Sequence, residues 1–135
     1  MKHCLIAALC LASGPALAWT ETKDFRGLHV YEASGEGVAL SVVCDPDGAM
    51  IPPENHLMMT VQGENYSGDY QLKSSERSFE GQIQNGTLVS TDGDPWNEVI
   101  AVLRSGSEIG LSINGMNYAL NTDQPFPVEC GSSTE

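Results

Sequence analysis

Thiols, imidazoles and carboxylates are the side chains here that could do chemistry, and their spacing is the first thing to test. The 135-residue chain has four cysteines, Cys4, Cys10, Cys44 and Cys130. No two stand in the C-x-x-C spacing of a redox or zinc motif, and neither Cys44 nor Cys130 has a histidine near it in sequence. His29 and His56 lie outside any G-x-S-x-G, H-E-x-x-H, phosphate-loop or dinucleotide pattern, so no nucleophile is identified for either to activate. Asp92, Asp94 and Glu98 in "TDGDPWNE" offer oxygens to calcium, but the EF-hand pattern fails at its glycine and at its distant glutamate. The same residues suit a turn and a helix start. The glutamates are spread over turns and strand faces from Glu32 to Glu108, and linear spacing cannot bring two across a cleft as glycoside hydrolysis requires. The expectation is a protein with no catalytic residues, no metal and no cofactor, and not an enzyme.

The compartment decides what the thiols do. Residues 1–18, MKHCLIAALCLASGPALA, carry Lys2, an apolar block from Leu5 to Ala12, a break at Gly14-Pro15 and a closing Ala16-Leu17-Ala18. That is the three-part pattern of a secretory signal peptide, with cleavage after Ala18 and a periplasmic or extracellular destination. The apolar block is too short for a membrane span, which needs about 20 apolar residues. Removal of the leader discards Cys4 and Cys10, leaving Cys44 and Cys130 to pair in an oxidising compartment.

Without Lys2, five basic residues face eighteen acidic ones, a formal charge of −13. Nucleic acid and anionic membranes are poor partners for such a surface, because each is bound through Lys and Arg. Dispersed carboxylates of this kind keep a small exported domain soluble, and a basic protein is the partner class the charge leaves open.

Residues 19–135 are expected to form a single secreted β domain, an antiparallel β-sandwich or small barrel with one short helix and one disulfide. The apolar residues recur with period two in short runs. One run begins at Leu28. Leu40, Val42 and Cys44 form another, as do Leu57, Met59 and Val61, and "YQLKS" and "SFEGQIQ" read as a pair. Asn85-Gly86 signals a hairpin into "TLVST". Asn114-Gly115 signals another between Ile109, Leu111, Ile113 and Met116, Tyr118, Leu120, with all six side chains on one face. The sequons Asn65-Tyr66-Ser67 and Asn85-Gly86-Thr87 fall on turns.

"DPWNEVIAVLRSG" breaks the period. Asp94 as N-cap, Pro95 at the first helical position, Arg104 in the last turn and Gly106 beyond it predict a helix over about 95–104. Val99, Val102 and Leu103 then face the sheet, with Trp96 at the rim. Pro125 and Pro127 keep the tail out of a central ladder, so it should run as an extended strap with Val128 and Cys130 inward. Gly131 to Glu135 should fray.

Two resemblances follow from these residues. Trp19, Cys44, the hairpin from Ile109 to Leu120 and Cys130 make the chain similar to the invasion-associated locus B family of small periplasmic alphaproteobacterial proteins. That likeness implies a β-sandwich of poorly defined role; the leader, the bridge and the missing catalytic set are what lead to the expectation of an exported binding or envelope-associated domain without catalysis. "VVCDPDG" and "NYSGDYQLK" also resemble the periplasmic inhibitors of C-type lysozyme, although "SSERSFEGQIQ" lacks the Trp and Lys that follow in that family. This second likeness implies a partner-binding segment built on Tyr66, Ser67 and Lys73.

Overall fold

Asn114 and Gly115 both adopt positive φ, +54° and +79°, the backbone that a two-residue type I′ turn demands and that Asn-Gly supplies at least cost. The turn joins Ile109–Ile113 to Met116–Leu120 in the expected register, Ile113 opposite Met116 and Ile109 opposite Leu120. Five of the six same-face side chains are buried or half-buried, and Met116 stays exposed beside the turn. In this computed structural model, residues 19–49, 54–120, 122 and 124–132 are described. The expected leader, with Cys4 and Cys10, lies outside them.

Among the described residues, ten strands form two antiparallel sheets, as the period-two pattern requires. The first sheet runs in the order β1 (Thr20–Lys23), β2 (His29–Gly35), β3 (Val38–Cys44), β4 (His56–Val61) and β5 (Glu64–Asn65). The second has the order β10 (Met116–Leu120), β9 (Ile109–Ile113), β6 (Gly68–Lys73) and β7 (Ser78–Ile83). "YQLKS" and "SFEGQIQ" pair as expected, with Leu72 opposite Phe79. β8 (Thr87–Val89) does not join them. The Asn85-Gly86 turn forms, with both residues at positive φ, but the strand after it pairs with β4 in the other sheet, Leu88 opposite Leu57.

The cause lies in three backbone hydrogen bonds. Gly86 N–H donates to the Tyr66 carbonyl at 2.7 Å, Met59 N–H to the Gly86 carbonyl at 2.8 Å, and Tyr66 N–H to the Met59 carbonyl at 3.2 Å. They knit β5 and β8 to successive halves of β4. A Cβ on Gly86 would sit 2.5 Å from the Met59 carbonyl oxygen, so only glycine lets the chain cross between sheets here. The sheets also meet where Gly35 lies against the Ala119 carbonyl, with no room for a side chain.

The inner faces close on one core. Leu40, Val42, Leu57 and Met59 of the first sheet share it with Leu72, Leu111 and Ile113 of the second and with Val99, Ile100 and Leu103 of the helix. That helix, α1, spans Asp94–Arg104, one residue earlier than expected. Gly93, not Asp94, occupies the N-cap, no side chain caps it, and Gly93 accepts the Asn97 N–H at 3.1 Å through its carbonyl. Trp96 is not at the rim. It is fully buried, because residues 96, 99, 100 and 103 form one stripe at helical spacing.

The tail runs as the expected strap. Phe126 is 1% exposed, donates its N–H to the Leu103 carbonyl at the end of α1, and meets Trp19 and Tyr31 edge-on at centroid distances of 5.0 and 5.1 Å. Cys130 then bonds Cys44, with their Cα atoms 5.2 Å apart. Val128 packs against the core while Glu129 faces solvent. The fraying expected from Gly131 onward is corrected for its first two residues. Gly131, at φ +74°, sits tight against the Asn55 amide, and Ser132 N–H donates to the Glu129 carbonyl at 2.9 Å. Residues 133–135 lie outside the described residues.

Candidate functional site

Alternation along β6 sends Tyr70 and Leu72 into the core and turns Asp69, Gln71 and Lys73 outward. Register with β7 and β9 completes the outer face, since Gln71 lies opposite both Glu80 and Ser112, and Asp69 opposite Gln82. The result is an open, shallow groove of about 450 Å³ whose lining includes the polar residues Asp69, Gln71, Glu80, Gln82, Ser112 and Asn114. Ser112 Oγ–H donates to Asn117 Oδ1 at 2.6 Å, fixing one margin. Asp69 and Glu80 are diagonal neighbours across the β6–β7 pair, and among the described residues neither carboxylate lies within ion-pair distance of a cation. Lys73 shares the face, but its stem leans toward Gly110, away from β7. The groove therefore offers acceptors and negative charge to a ligand that carries positive charge and hydrogen-bond donors.

Beneath this face, Tyr70 is only 4% exposed, and its hydroxyl has no hydrogen-bond partner among the described residues. The ring reaches from β6 across to β7, where a Cβ on Gly81 would lie 2.9 Å from the phenol oxygen and 2.8 Å from the Phe79 ring. Tyr70 and Phe79 meet edge-on at 6.3 Å and together cover the glycine. Burial pushes the Tyr70 phenol up to about 12.

Of the residues singled out by the resemblance, Tyr66 and Ser67 lie where the chain passes between the sheets. Tyr66 is half-buried, packs over Gly68 and donates its hydroxyl to the Asp69 carbonyl at 2.6 Å. Ser67 Oγ accepts the Asn85 N–H at 2.8 Å. Lys73 stands six residues further along an extended strand, on the order of 20 Å from Ser67. The fold brings Tyr66 and Ser67 together and places Lys73 at the far end of β6.

The remaining reactive groups occupy the first sheet. His29 Nδ1 lies 2.9 Å from Glu21 Oε2, and this hydrogen bond chiefly holds the Glu21 carboxyl below its usual value. Burial, then the Glu21 charge, pushes the Tyr31 phenol upward. Burial pulls His56 below the ordinary imidazole value, opposed by Glu54 and reinforced by Arg26. The calcium trio is otherwise engaged: Asp92 Oδ2 accepts the Val89 N–H, Asp94 opens α1, and Glu98 pairs with Arg77 at 3.9 Å. Among the described residues no three His, Cys, Asp or Glu side chains converge as a metal site, and no helix is long and apolar enough to cross a membrane.

One apolar side chain stands apart. Phe25 is 95% exposed at the turn joining β1 and β2, which Asp24 braces by accepting the N–H groups of Arg26 and Leu28.

The chain matches no family model, no curated protein and no solved structure. The groove escaped sequence reading because Asp69 and Glu80, eleven positions apart, become neighbours only through the β6–β7 register. The signal that could have found it was the pairing of "YQLKS" with "SFEGQIQ", read one step further to see which side chains share the outer face.

Proposed function

We propose that the protein is an exported, disulfide-stapled binding domain, without catalysis of its own, that presents the outer face of its second sheet to a cationic partner. The observation that carries this reading is the pair Asp69 and Glu80, lining an open groove with no cation against either carboxylate among the described residues. The formal charge of −13 after leader removal supports it, because a basic partner is steered toward such a surface and held most strongly at low salt. A C-type lysozyme is a strongly basic probe that also tests the inhibitor reading. Titration calorimetry with lysozyme should show binding that weakens as salt rises and is lost in Asp69→Asn/Glu80→Gln. Salt-independent binding, or none at low salt, would sink the proposal. Inhibition of lysozyme that survives in this double variant but disappears in Ser67→Ala or Lys73→Ala would instead favour the Tyr66–Ser67–Lys73 segment as the contact.

A further inference from the structure

β7 is the last strand of its sheet, and among the described residues one of its edges has no neighbouring strand. The direction of its backbone groups follows from the turn before it. Ser74 N–H donates to the Arg77 carbonyl at 2.8 Å, which makes residues 74 and 77 a hydrogen-bonded pair. Alternation then turns the amides and carbonyls of Phe79, Gly81 and Ile83 toward β6 and those of Ser78, Glu80 and Gln82 toward the open edge. The side chains of these last three residues are exposed and, among the described residues, no hydrogen bond engages their amides, although α1 packs against β7 and Glu98 pairs with Arg77 just before it. Most edge strands are blunted by charges of both signs, proline or a bulge, as β1 is by Glu21 and Lys23. β7 carries the single charge of Glu80 and a glycine.

Resting on the cationic-partner reading above, we infer that the free edge of β7 accepts an added strand from that partner, one in which lysine or arginine alternates with apolar residues. Period two sets the match. On the outer face, basic side chains of the added strand meet Glu80 and reach across β7 toward Asp69. On the inner face, apolar side chains meet the half-buried Phe79, which with the Tyr70 ring covers Gly81 in the outermost strand. Backbone hydrogen bonds supply the attachment, and the carboxylates select the sign of charge.

The probe is a capped peptide of alternating Lys and Val, seven residues long, with its Glu-for-Lys counterpart as control. Hydrogen exchange followed by NMR reads the mode. The Lys peptide should slow exchange at the Ser78, Glu80 and Gln82 amides, leave the Phe79 and Gly81 amides as protected as before, and bind roughly tenfold or more tighter than the Glu peptide. Gln82→Pro removes one edge donor without touching the β6 ladder, and it should abolish this protection while its thermal melt and its Gly81 protection stay like wild type. Should that variant fail to fold, Glu80→Lys keeps every edge amide, reverses the charge and should weaken the Lys peptide to the level of the Glu peptide. Lysozyme binding that persists in Gln82→Pro, with no change at the β7 amides on peptide addition, would overturn strand addition and leave the groove standing. Absence of both lysozyme and peptide binding would overturn the two readings together.

Discussion

The indole N–H of Trp96 donates to the carbonyl of Cys130 at 3.0 Å, so the first turn of α1 grips the tail at the residue where the disulfide enters it. Covalent and polar fixation thus converge on one position. Closing a loop of 86 residues removes about 4–5 kcal/mol of unfolded-state freedom in the chain-entropy model.

Breaking either tie should be measurable. Cys130→Ala is expected to cost about 2–5 kcal/mol in chemical denaturation under oxidising conditions. Trp96→Phe, which leaves the buried Cys130 carbonyl without its donor, should cost about 1–3 kcal/mol plus any cavity left by the smaller ring. A Trp96→Phe variant as stable as wild type would show that the carbonyl finds another donor.

Two glycines at positive φ separate conformational strain from collision. A methyl group added at Gly115 would meet nothing within 4 Å, so Gly115→Ala should cost only the left-handed backbone penalty, about 1–2 kcal/mol. Gly86→Ala carries the same penalty and adds a clash with the Met59 carbonyl at 2.5 Å. It should be the more destabilising of the two by a clear margin in thermal melts, and equal losses would mean that the crossing between sheets yields more easily than its hydrogen bonds imply.

Stability should fall at both ends of the pH range. His56 has a depressed folded pKa, so the unfolded chain binds its proton first and stability declines as pH drops through about 6.5 and below. Glu21 is also depressed, and its contribution, present above the ordinary carboxyl value, is lost on further acidification. Tyr70 is raised to about 12, so above pH of about 10 the unfolded phenol ionises while the folded one stays neutral, and stability falls again. His56→Gln should flatten the decline just below neutrality and Tyr70→Phe the alkaline one, read from denaturant midpoints against pH.

Tyr70→Phe has a second expected effect. Removing a buried hydroxyl that lacks a partner should leave the protein at neutral pH as stable as wild type or more so, since the desolvation cost of that group disappears with it. A loss above about 1 kcal/mol would show that the hydroxyl is bonded in solution.

Local chemistry was legible and long-range pairing was not. Asn114-Gly115 announced a hairpin because the turn geometry and both its strands are contiguous in sequence. Asn85-Gly86 announced a turn equally well, yet the partner of β8 is chosen by Tyr66 and Met59, residues well upstream in sequence, and no local pattern encodes that choice. β1 was missed because "TETK" is exposed on all four side chains and shows no apolar alternation. The burial of Trp96 was readable from its stripe with Val99, Ile100 and Leu103, but its acceptor comes from a tail 34 residues away. The pairing of Cys44 with Cys130 was legible by elimination, from the expectation of a leader that takes Cys4 and Cys10 with it and of an oxidising destination, without any geometric information.

The disulfide also fixes how the molecule carries a mechanical load. A pull applied at the two ends passes from Cys44 to Cys130 through the sulfur bridge, bypassing everything between them, including the second sheet and its groove. Of the described residues before the bridge, Trp19 to Val43 can be drawn out, roughly 25 residues and about 80–90 Å at full extension. Under tension β1, β2 and β3 would peel from the first sheet, while the loop bearing Asp69 and Glu80 would feel no stretching force until the bridge itself was reduced.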